Sequence, residues 1–248
     1  MKSKLYRFFT LREAIAMIPH LVFVILTVLL SCYLMTANIS RFAYIASEDG
    51  GLETMQFAFD LLSATLCVYL CRLFYSHNQK ETAFLFAVGV AFFFFIAMEE
   101  LSWGQRIFQY PTPPWMLAHN KQQEFNLHNI SGIKNRYVHL VIGSYGVFSG
   151  LLYRMLSRVQ VRWLKELMQV VRVDLFVIPF RYTPYFLSAV CYFVFYYDII
   201  TRWDRAGAYI QEVAEFFVSF GCYLVLFQHL RVESLRFALS EKKSKRYH

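Results

Sequence analysis

Residues 82–106 read TAFLFAVGVAFFFFIAMEELSWGQR, and this stretch decides the fold class. It opens with an uncharged, mostly apolar run that extends from Thr82 to Met98. Such a run has about the length that a helix needs to cross the ~30 Å hydrocarbon core of a bilayer. Two glutamates, Glu99 and Glu100, close the run, and a tryptophan and an arginine follow. The pattern predicts a transmembrane helix that ends in a polar segment at the membrane surface.

Further apolar blocks extend this pattern over the whole chain. The 248 residues are 57% hydrophobic and 17% charged, whereas soluble domains carry about 25% charged residues. A membrane β-barrel is excluded, because the blocks are long and do not alternate. We predict an all-α, polytopic membrane bundle that forms one transmembrane domain over residues 1–248. The six expected spans are about 14–36, 56–75, 82–101, 137–156, 183–201 and 211–230.

Charged residues indicate which span ends share a side of the membrane. Lys and Arg concentrate on the cytoplasmic side of most membrane proteins. With both termini cytoplasmic, 18 of the 25 basic residues fall inside, and 11 of the 17 acidic residues fall outside. The sequence therefore predicts that acids gather at the outer ends of the spans. These acids are Glu48, Asp49, Glu53, Asp60, Glu99, Glu100, Glu124, Asp198, Asp204, Glu212 and Glu215.

Two stretches between the spans are long enough to have their own structure. Residues 157–181 are basic and partly amphipathic, which is typical either of a helix on the inner membrane surface or of a helical connector packed on the bundle. Residues 102–136 form the longest outer loop. The net charge of +8 fits basic loops against anionic lipid headgroups. Membrane lipids are therefore the expected partners, and no motif supports binding to nucleic acid.

Acidic residues on the spans are the most informative candidates for a site. An ionisable residue at membrane depth is costly to bury and usually faces a bundle interior or a cavity. Near a helix start, acids also favour the helix dipole, so a purely structural role remains open there. The residues are Asp60 in span two, Glu99 and Glu100 at the end of span three, and Glu212 and Glu215 in span six.

The outer loop adds the motif QQEFNLHN at residues 122–129. Glu124 and His128 are four residues apart, so one helix face would carry both. A carboxylate and an imidazole placed in this way can share a metal ion or act as an acid–base pair. A capped loop helix explains the same two residues without any chemistry. His139, at the outer start of span four, is a weaker candidate.

Together these residues predict one composite polar site. Clustered carboxylates repel one another unless a cation, a proton or an arginine compensates. A bound divalent metal ion is one compensator that fits, and carboxyl groups with a raised pKa, suited to general acid catalysis, are the other; the sequence does not choose between them. The expected acid–base residues are Asp60, Glu99, Glu100, Glu124 and His128. The expected metal ligands are Glu100, Glu124, His128, Glu212 and Glu215. Substrate contacts are expected from Trp103, Gln105, Arg106 and Asn126, and Arg106 would bind an anionic headgroup.

Three motifs in a fixed order give the chain a family resemblance. EDGxxE at residues 48–53, EExSWGQR at 99–106 and ExNLHN at 124–129 resemble a family of uncharacterised bacterial multi-pass integral membrane proteins. The resemblance covers roughly residues 48–130 and implies a bacterial membrane setting, with no activity to carry over. We expect this membrane to be the bacterial inner membrane. The sequence lacks the His-x-x-x-His pair of alkaline ceramidase-like hydrolases and the Gly-x-Ser-x-Gly motif of rhomboid-type proteases.

Two functions from different classes fit these observations. The leading hypothesis is a metal-dependent hydrolase or transferase that acts on a lipid or lipid-linked substrate at the outer leaflet. The alternative is a non-catalytic membrane subunit: a scaffold, a transporter or a carrier component. The acids of such a subunit would pair with the cations of a membrane-protein partner or conduct protons.

Overall fold

A computed structural model shows a helical bundle. It describes residues 11–46, 50–120, 123–127, 129–130, 135–159, 161–196 and 204–244. Most of these residues are helical, and the described part has no strand beyond an isolated β-bridge between Asn120 and Ile130. The predicted all-α class is confirmed.

Ten α-helices are numbered here in chain order through the described residues. The long helices are α1 (Leu11–Ala37), α3 (Gly51–Ser76), α4 (Lys80–Glu100), α7 (Asn135–Arg158) and α10 (Asp204–Ser244). The short helices are α2 (Ile39–Ala46), α5 (Gln105–Phe108), α6 (Pro114–His119), α8 (Arg162–Val170) and α9 (Thr183–Cys191).

The five long helices are long and apolar enough to cross a membrane, so the chain is a membrane protein. They lie where five of the predicted spans were placed. The predicted span 183–201 starts as α9 and continues as a π-helical turn over Tyr192–Tyr196. Residues 197–201 lie outside the described part. Which side of the membrane each end faces stays a prediction.

Helices α3, α4 and α10 form the centre of the bundle. Helices α3 and α10 run parallel, because Gln56 contacts Glu212 near their starts and His77 contacts Glu241 near their ends. Helix α4 returns antiparallel to α3 after the short turn at residues 77–79. The end of the bundle where α3 and α10 begin and α4 ends is termed the acidic end. The opposite end is termed the basic end.

One face of α3 is buried along the whole helix, with buried residues every three or four positions. This face changes character halfway along. Near the basic end it is apolar and packs among Leu226, Phe86 and Phe237. Near the acidic end it is polar, so its groups must find partners inside the bundle, because lipid offers none. The polar residues are Glu53, Gln56, Asp60 and Ser63, and the remaining ones are Ala64, Cys67, Leu70 and Phe74.

Glycines allow α7 and α10 to approach α9 closely. Phe186 of α9 is 1% exposed and lies among aromatic side chains of α10. A Cβ atom added to Gly146 of α7 would lie 2.1 Å from Cγ of Phe186. One added to Gly143 would lie 2.9 Å from Cγ2 of Val190. No side chain fits at these distances, so the two glycines fix the spacing of α7 and α9.

The chain between α8 and α9 is packed into the bundle without forming an α-helix. It contains two 3-10 turns, Val173–Phe176 and Phe180–Tyr182. The N–H of Ile178 donates to the hydroxyl of Ser149 at 3.1 Å, and the hydroxyl of Tyr145 donates to the carbonyl of Phe176. Residues 157–181 contain the amphipathic helix α8 and, after it, a packed connector that is not α-helical, so the expected helical structure covers only part of this stretch. Contact between α8 and a lipid surface stays a prediction.

Gly146→Ala tests the close packing around Phe186. We expect a lower melting temperature for the purified protein in detergent, since overpacking a filled core costs about 1–3 kcal/mol. Thermal unfolding followed by tryptophan fluorescence measures the change. Gly51→Ala is the control, because its added Cβ would have its nearest contact at an ordinary 3.8 Å. Equal melting temperatures for Gly146→Ala and the wild type would contradict the close contact.

Candidate functional site

The neighbouring acids Glu99 and Glu100 belong to two different sets of contacts. Consecutive residues differ by about 100° around a helix, so their side chains leave α4 in different directions. The carboxylate of Glu99 is 5% exposed. It accepts hydrogen bonds from Nε1 of Trp103 and from the backbone N–H of Leu127, both at 2.6 Å. Glu99 thus joins the end of α4 to the motif at residues 124–127.

The motifs SWGQ and EFNL form one hydrogen-bonded unit, termed here the loop unit (residues 102–105 and 124–127). The hydroxyl of Ser102 donates to Glu124 at 2.5 Å. The amide nitrogen of Asn126 donates to Oγ of Ser102 at 3.1 Å and to Glu124 at 3.2 Å. Asn120 in turn donates to the side-chain oxygen of Asn126 at 2.8 Å. Glu124 therefore lies in a network of neutral hydrogen-bond donors.

Gln105 connects three parts of the same loop. Its carbonyl oxygen accepts from the N–H of Phe125 at 2.6 Å. Its amide nitrogen donates to the carbonyl of Tyr110 at 3.1 Å and to the hydroxyl of Thr112 at 2.6 Å. Three of the expected substrate contacts therefore hold the loop together through hydrogen bonds between its parts: Trp103, Gln105 and Asn126. Their contact with a substrate stays a prediction.

The loop unit begins in a left-handed backbone turn. Ser102, Trp103 and Gly104 all have positive φ angles, of 46°, 54° and 86°. For residues other than glycine this conformation costs roughly 1–2 kcal/mol each. The hydrogen bonds of Ser102 and Trp103 to Glu124 and Glu99 stabilise it. The turn directs the chain out of α4, so that the loop lies back against the helix end.

Glu100 faces the bundle interior at the acidic end, in a group of carboxyl side chains termed here the acid cluster. It interacts electrostatically with acids of both neighbouring long helices. Glu53 and Asp60 are buried, whereas Glu100 and the two acids of α10 are half-buried. The acid cluster is therefore closed towards the bundle centre and open towards its surface. Its members are Glu53 and Asp60 on α3, Glu100 on α4, and Glu212 and Glu215 on α10.

Neutral polar side chains hold several of these carboxylates in place. Gln56 is 1% exposed and donates to Glu212 at 3.0 Å. Asp60 is 2% exposed and accepts from the hydroxyl of Ser219 at 3.0 Å. Gln211 donates to Glu215 at 2.9 Å. These bonds fix the carboxylates through neutral donors.

His139 brings an imidazole to the acid cluster from the start of α7. Its Nδ1 lies 3.5 Å from a carboxylate oxygen of Glu215. Its ring stacks on Phe193 at 5.1 Å between centroids and an interplanar angle of 8°. Phe193 belongs to the π-helical turn after α9, and such turns occur frequently at functional sites. Three elements therefore meet at Glu215.

The structure divides the predicted composite site. It brings Asp60, Glu100, Glu212 and Glu215 together and adds Glu53 to them. Glu124 lies in the loop unit, and Glu99 is hydrogen-bonded to that unit. Among the described residues, no group of three or more His, Cys, Asp or Glu is arranged to hold a metal ion. Carboxylate oxygens of the acid cluster are the groups that could bind a hard cation. The remaining predictions fall outside the described part: Glu48, Asp49, His128, Asp198 and the side chains of Arg106 and Asp204.

Three site residues were hard to recognise from the sequence: Gln56, Gln211 and Ser219. All three are neutral, so they do not stand out in a charged-residue search. One signal was present, because Glu53, Gln56, Asp60 and Ser63 recur at helical spacing. Their periodicity marks one polar helix face and would have placed Gln56 beside the two acids.

Comparisons with protein-family models, with curated proteins and with solved structures find no match. The assignment of function therefore depends on the geometry of the acid cluster and the loop unit.

Gln105→Ala tests the loop unit. It removes three hydrogen bonds, each worth about 0.5–1.5 kcal/mol net, and it frees the amide of Phe125. We expect faster hydrogen–deuterium exchange in peptides that cover residues 105–127, measured by mass spectrometry in detergent.

Gln123→Ala is the matched control, since it removes an exposed amide from the same loop. Unchanged exchange in Gln105→Ala would show that the loop is held by other contacts.

Proposed function

We propose that the chain is a carrier component of the membrane whose acid cluster binds and releases a cation. The observation that carries this proposal is the position of Glu100, at the end of a membrane-spanning helix and among four further carboxyl groups. Like charges so placed repel one another unless protons or a cation are bound. A site that needs a cation, and opens to the bundle surface, is suited to exchange one.

The depth of Asp60 supports a carrier. Asp60 lies on α3 beyond Glu53 and Gln56, two turns further from the acidic end. Its hydrogen-bond partner, Ser219, lies at the matching level of α10. The cluster thus extends from half-buried acids at the surface to a buried acid inside the span. Intramembrane acids in such a series are typical of ion and proton pathways.

A second function, a hydrolase or transferase acting on a lipid-linked substrate, is favoured by one contact. The hydrogen bond from Leu127 to Glu99 joins the segments that carry Glu100 and His128. We propose for this function that Glu100 and His128 act together, as acid and base or as metal ligands, near the lipid headgroups. The resemblance of the motifs supports a setting in the bacterial inner membrane for both functions.

Carbodiimide labelling tests the carrier. Dicyclohexylcarbodiimide is apolar and reacts with protonated carboxyl groups. We expect it to modify Glu100 or Asp60 in the protein in lipid nanodiscs, because repulsion within the cluster favours bound protons. Na⁺ or Mn²⁺ at saturating concentration should slow the reaction if either occupies the cluster. Peptide mass spectrometry identifies the modified residues.

Two internal controls accompany this experiment. Glu166 is an exposed partner of Arg162 on α8, and Glu99 is hydrogen-bonded in the loop unit. Both should react more slowly than the acid cluster. If Glu166 is labelled as fast as Glu100, and neither Na⁺ nor Mn²⁺ slows the labelling of the acid cluster, the carrier proposal is wrong.

Incubation with a bacterial lipid extract tests the enzyme. Lipidomic mass spectrometry should show a hydrolysed or transferred headgroup with the wild-type protein, and loss of that product with Glu100→Gln and with His128→Ala. Glu166→Gln is the control, since it changes an exposed carboxylate away from both motifs. A product formed equally by all four proteins would come from a contaminant and would count against catalysis.

A further inference from the structure

Polar groups continue along the interface of α3 and α10 beyond the acid cluster. On α10, Glu212, Glu215, Ser219 and Cys222 follow one another at intervals of three or four residues, so they share one helix face. Cys222 interacts electrostatically with Asp60 and with Cys67 of α3. The series therefore passes from carboxyl groups to a hydroxyl and then to two thiols near the middle of the bundle.

Two buried side chains on this line have an atom without a hydrogen-bond partner. They are Oγ of Ser63, in a residue that is 0% exposed, and Nε2 of His229, in a residue that is 2% exposed. Buried polar atoms are normally hydrogen-bonded, and bound water is the usual partner where protein groups do not supply one. Both atoms therefore point to water inside the bundle, one on each side of its middle.

His229 leads to a second charged network, at the basic end. It interacts electrostatically with Asp174 and Arg172 of the packed connector. Arg172 donates to Asp174 at 2.9 Å and to Glu233 at 3.0 Å. Burial alone would lower the pKa of Arg172, but its hydrogen bonds to Asp174 and Glu233 raise that pKa, so the network keeps its charges.

This network reaches the surface of the bundle. Glu233 is also bonded to Arg236 at 3.2 Å, and the side chain of Arg236 is half exposed. A proton that arrives at His229 thus has the carboxylates of Asp174 and Glu233 nearby, and solvent beyond them. At the acidic end, the half-buried carboxyl groups of the acid cluster give the corresponding access to the bundle surface.

We propose that this line of groups conducts protons through the bundle, between the acid cluster and the network of Arg172, Asp174 and Glu233. The inference rests on the proposed function in taking the acid cluster as one entrance, and it identifies the proton as the transported cation. A proton binds to the carboxylates near Glu100 and moves to Asp60. Water beside Ser63 then carries it towards Nε2 of His229. The carboxylates at the basic end release it to solvent.

Leu70 and Leu226 form an apolar barrier on this route. Both are buried, and they lie between the thiols of Cys67 and Cys222 and the ring of His229. His229 follows Cys222 by seven positions on α10, which corresponds to about 10 Å along the helix. Apolar constrictions of this kind control conduction by excluding water. The barrier makes passage slow at rest and gives the route a place at which it can be controlled.

Proton flux into liposomes tests the route. The purified protein is reconstituted with the pH-sensitive dye pyranine inside, and a potassium gradient with valinomycin drives protons inward. We expect wild-type flux above that of protein-free liposomes. Asp60→Asn and His229→Gln should each reduce flux to the protein-free rate. Leu226→Ser should increase it severalfold, because a hydroxyl helps water to cross the barrier.

Glu166→Gln serves as the matched control and should conduct at the wild-type rate. Asp60→Asn and His229→Gln change opposite halves of the bundle. Gel filtration shows whether each variant is folded, and if one is not, the flux of the other tests the route. Equal flux in wild type and in a folded Asp60→Asn or His229→Gln variant overturns the route. So does the absence of flux in both wild type and Leu226→Ser.

The result is separable from the carrier proposal. If the acid cluster reacts with carbodiimide and a metal ion protects it, but no protons flow, cation binding stands and the proton route falls. If protons flow through a protein whose cluster shows no preferential labelling, the route stands with a different entrance.

Discussion

The packing of α3 against α10 is the contact on which the rest of the structure depends. The two helices run parallel, the buried face of α3 is polar in its half near the acidic end, and α10 places the polar side chains of Glu212 and Ser219 against it. A bilayer provides no hydrogen-bond partners, so these polar groups are stable only when they face each other. The bonds from Gln56 to Glu212 and from Ser219 to Asp60 meet this requirement. The register they fix also brings α4, and with it Glu100, to the acid cluster.

At the end of α4, the neighbouring residues Glu99 and Glu100 contribute to two different sets of contacts, the loop unit and the acid cluster. Glu99 turns towards the loop and binds Trp103 and Leu127, whereas its neighbour Glu100 turns towards α3 and α10. The loop unit therefore does more than cover a helix end. Because Glu99 fixes the last turn of α4 from one side, it also limits the directions that Glu100 can take on the other. Damage to the loop should therefore alter the acid cluster without removing any of its carboxylates.

Apolar runs made the helices predictable, and charge made part of the site predictable. Asp60, Glu100, Glu212 and Glu215 stood out because a carboxylate on an apolar span is rare, and the structure brings them together. The place of Glu124 was not predictable, since its partners Ser102 and Asn126 meet it only after the loop has folded. The packed connector was equally hidden. Its residues VDLFVIPF are apolar enough for a helix, and only contacts such as that of Ile178 with Ser149 show another conformation.

Stability alone does not account for the polar half of this interface. Replacing buried polar and ionic groups by well-packed apolar side chains is often neutral or stabilising by about 1–4 kcal/mol. Helix α3 itself has apolar packing near the basic end. There Leu70 and Phe74 pack among Phe86, Leu226 and Phe237, only a few turns from Asp60. A protein under selection for packing alone would extend that pattern to the acidic end. Five carboxyl groups and the unpartnered hydroxyl of Ser63 occupy that end instead. Their energetic cost is the physical reason to assign them a function, and protons are the cations that groups of this kind bind and release most readily.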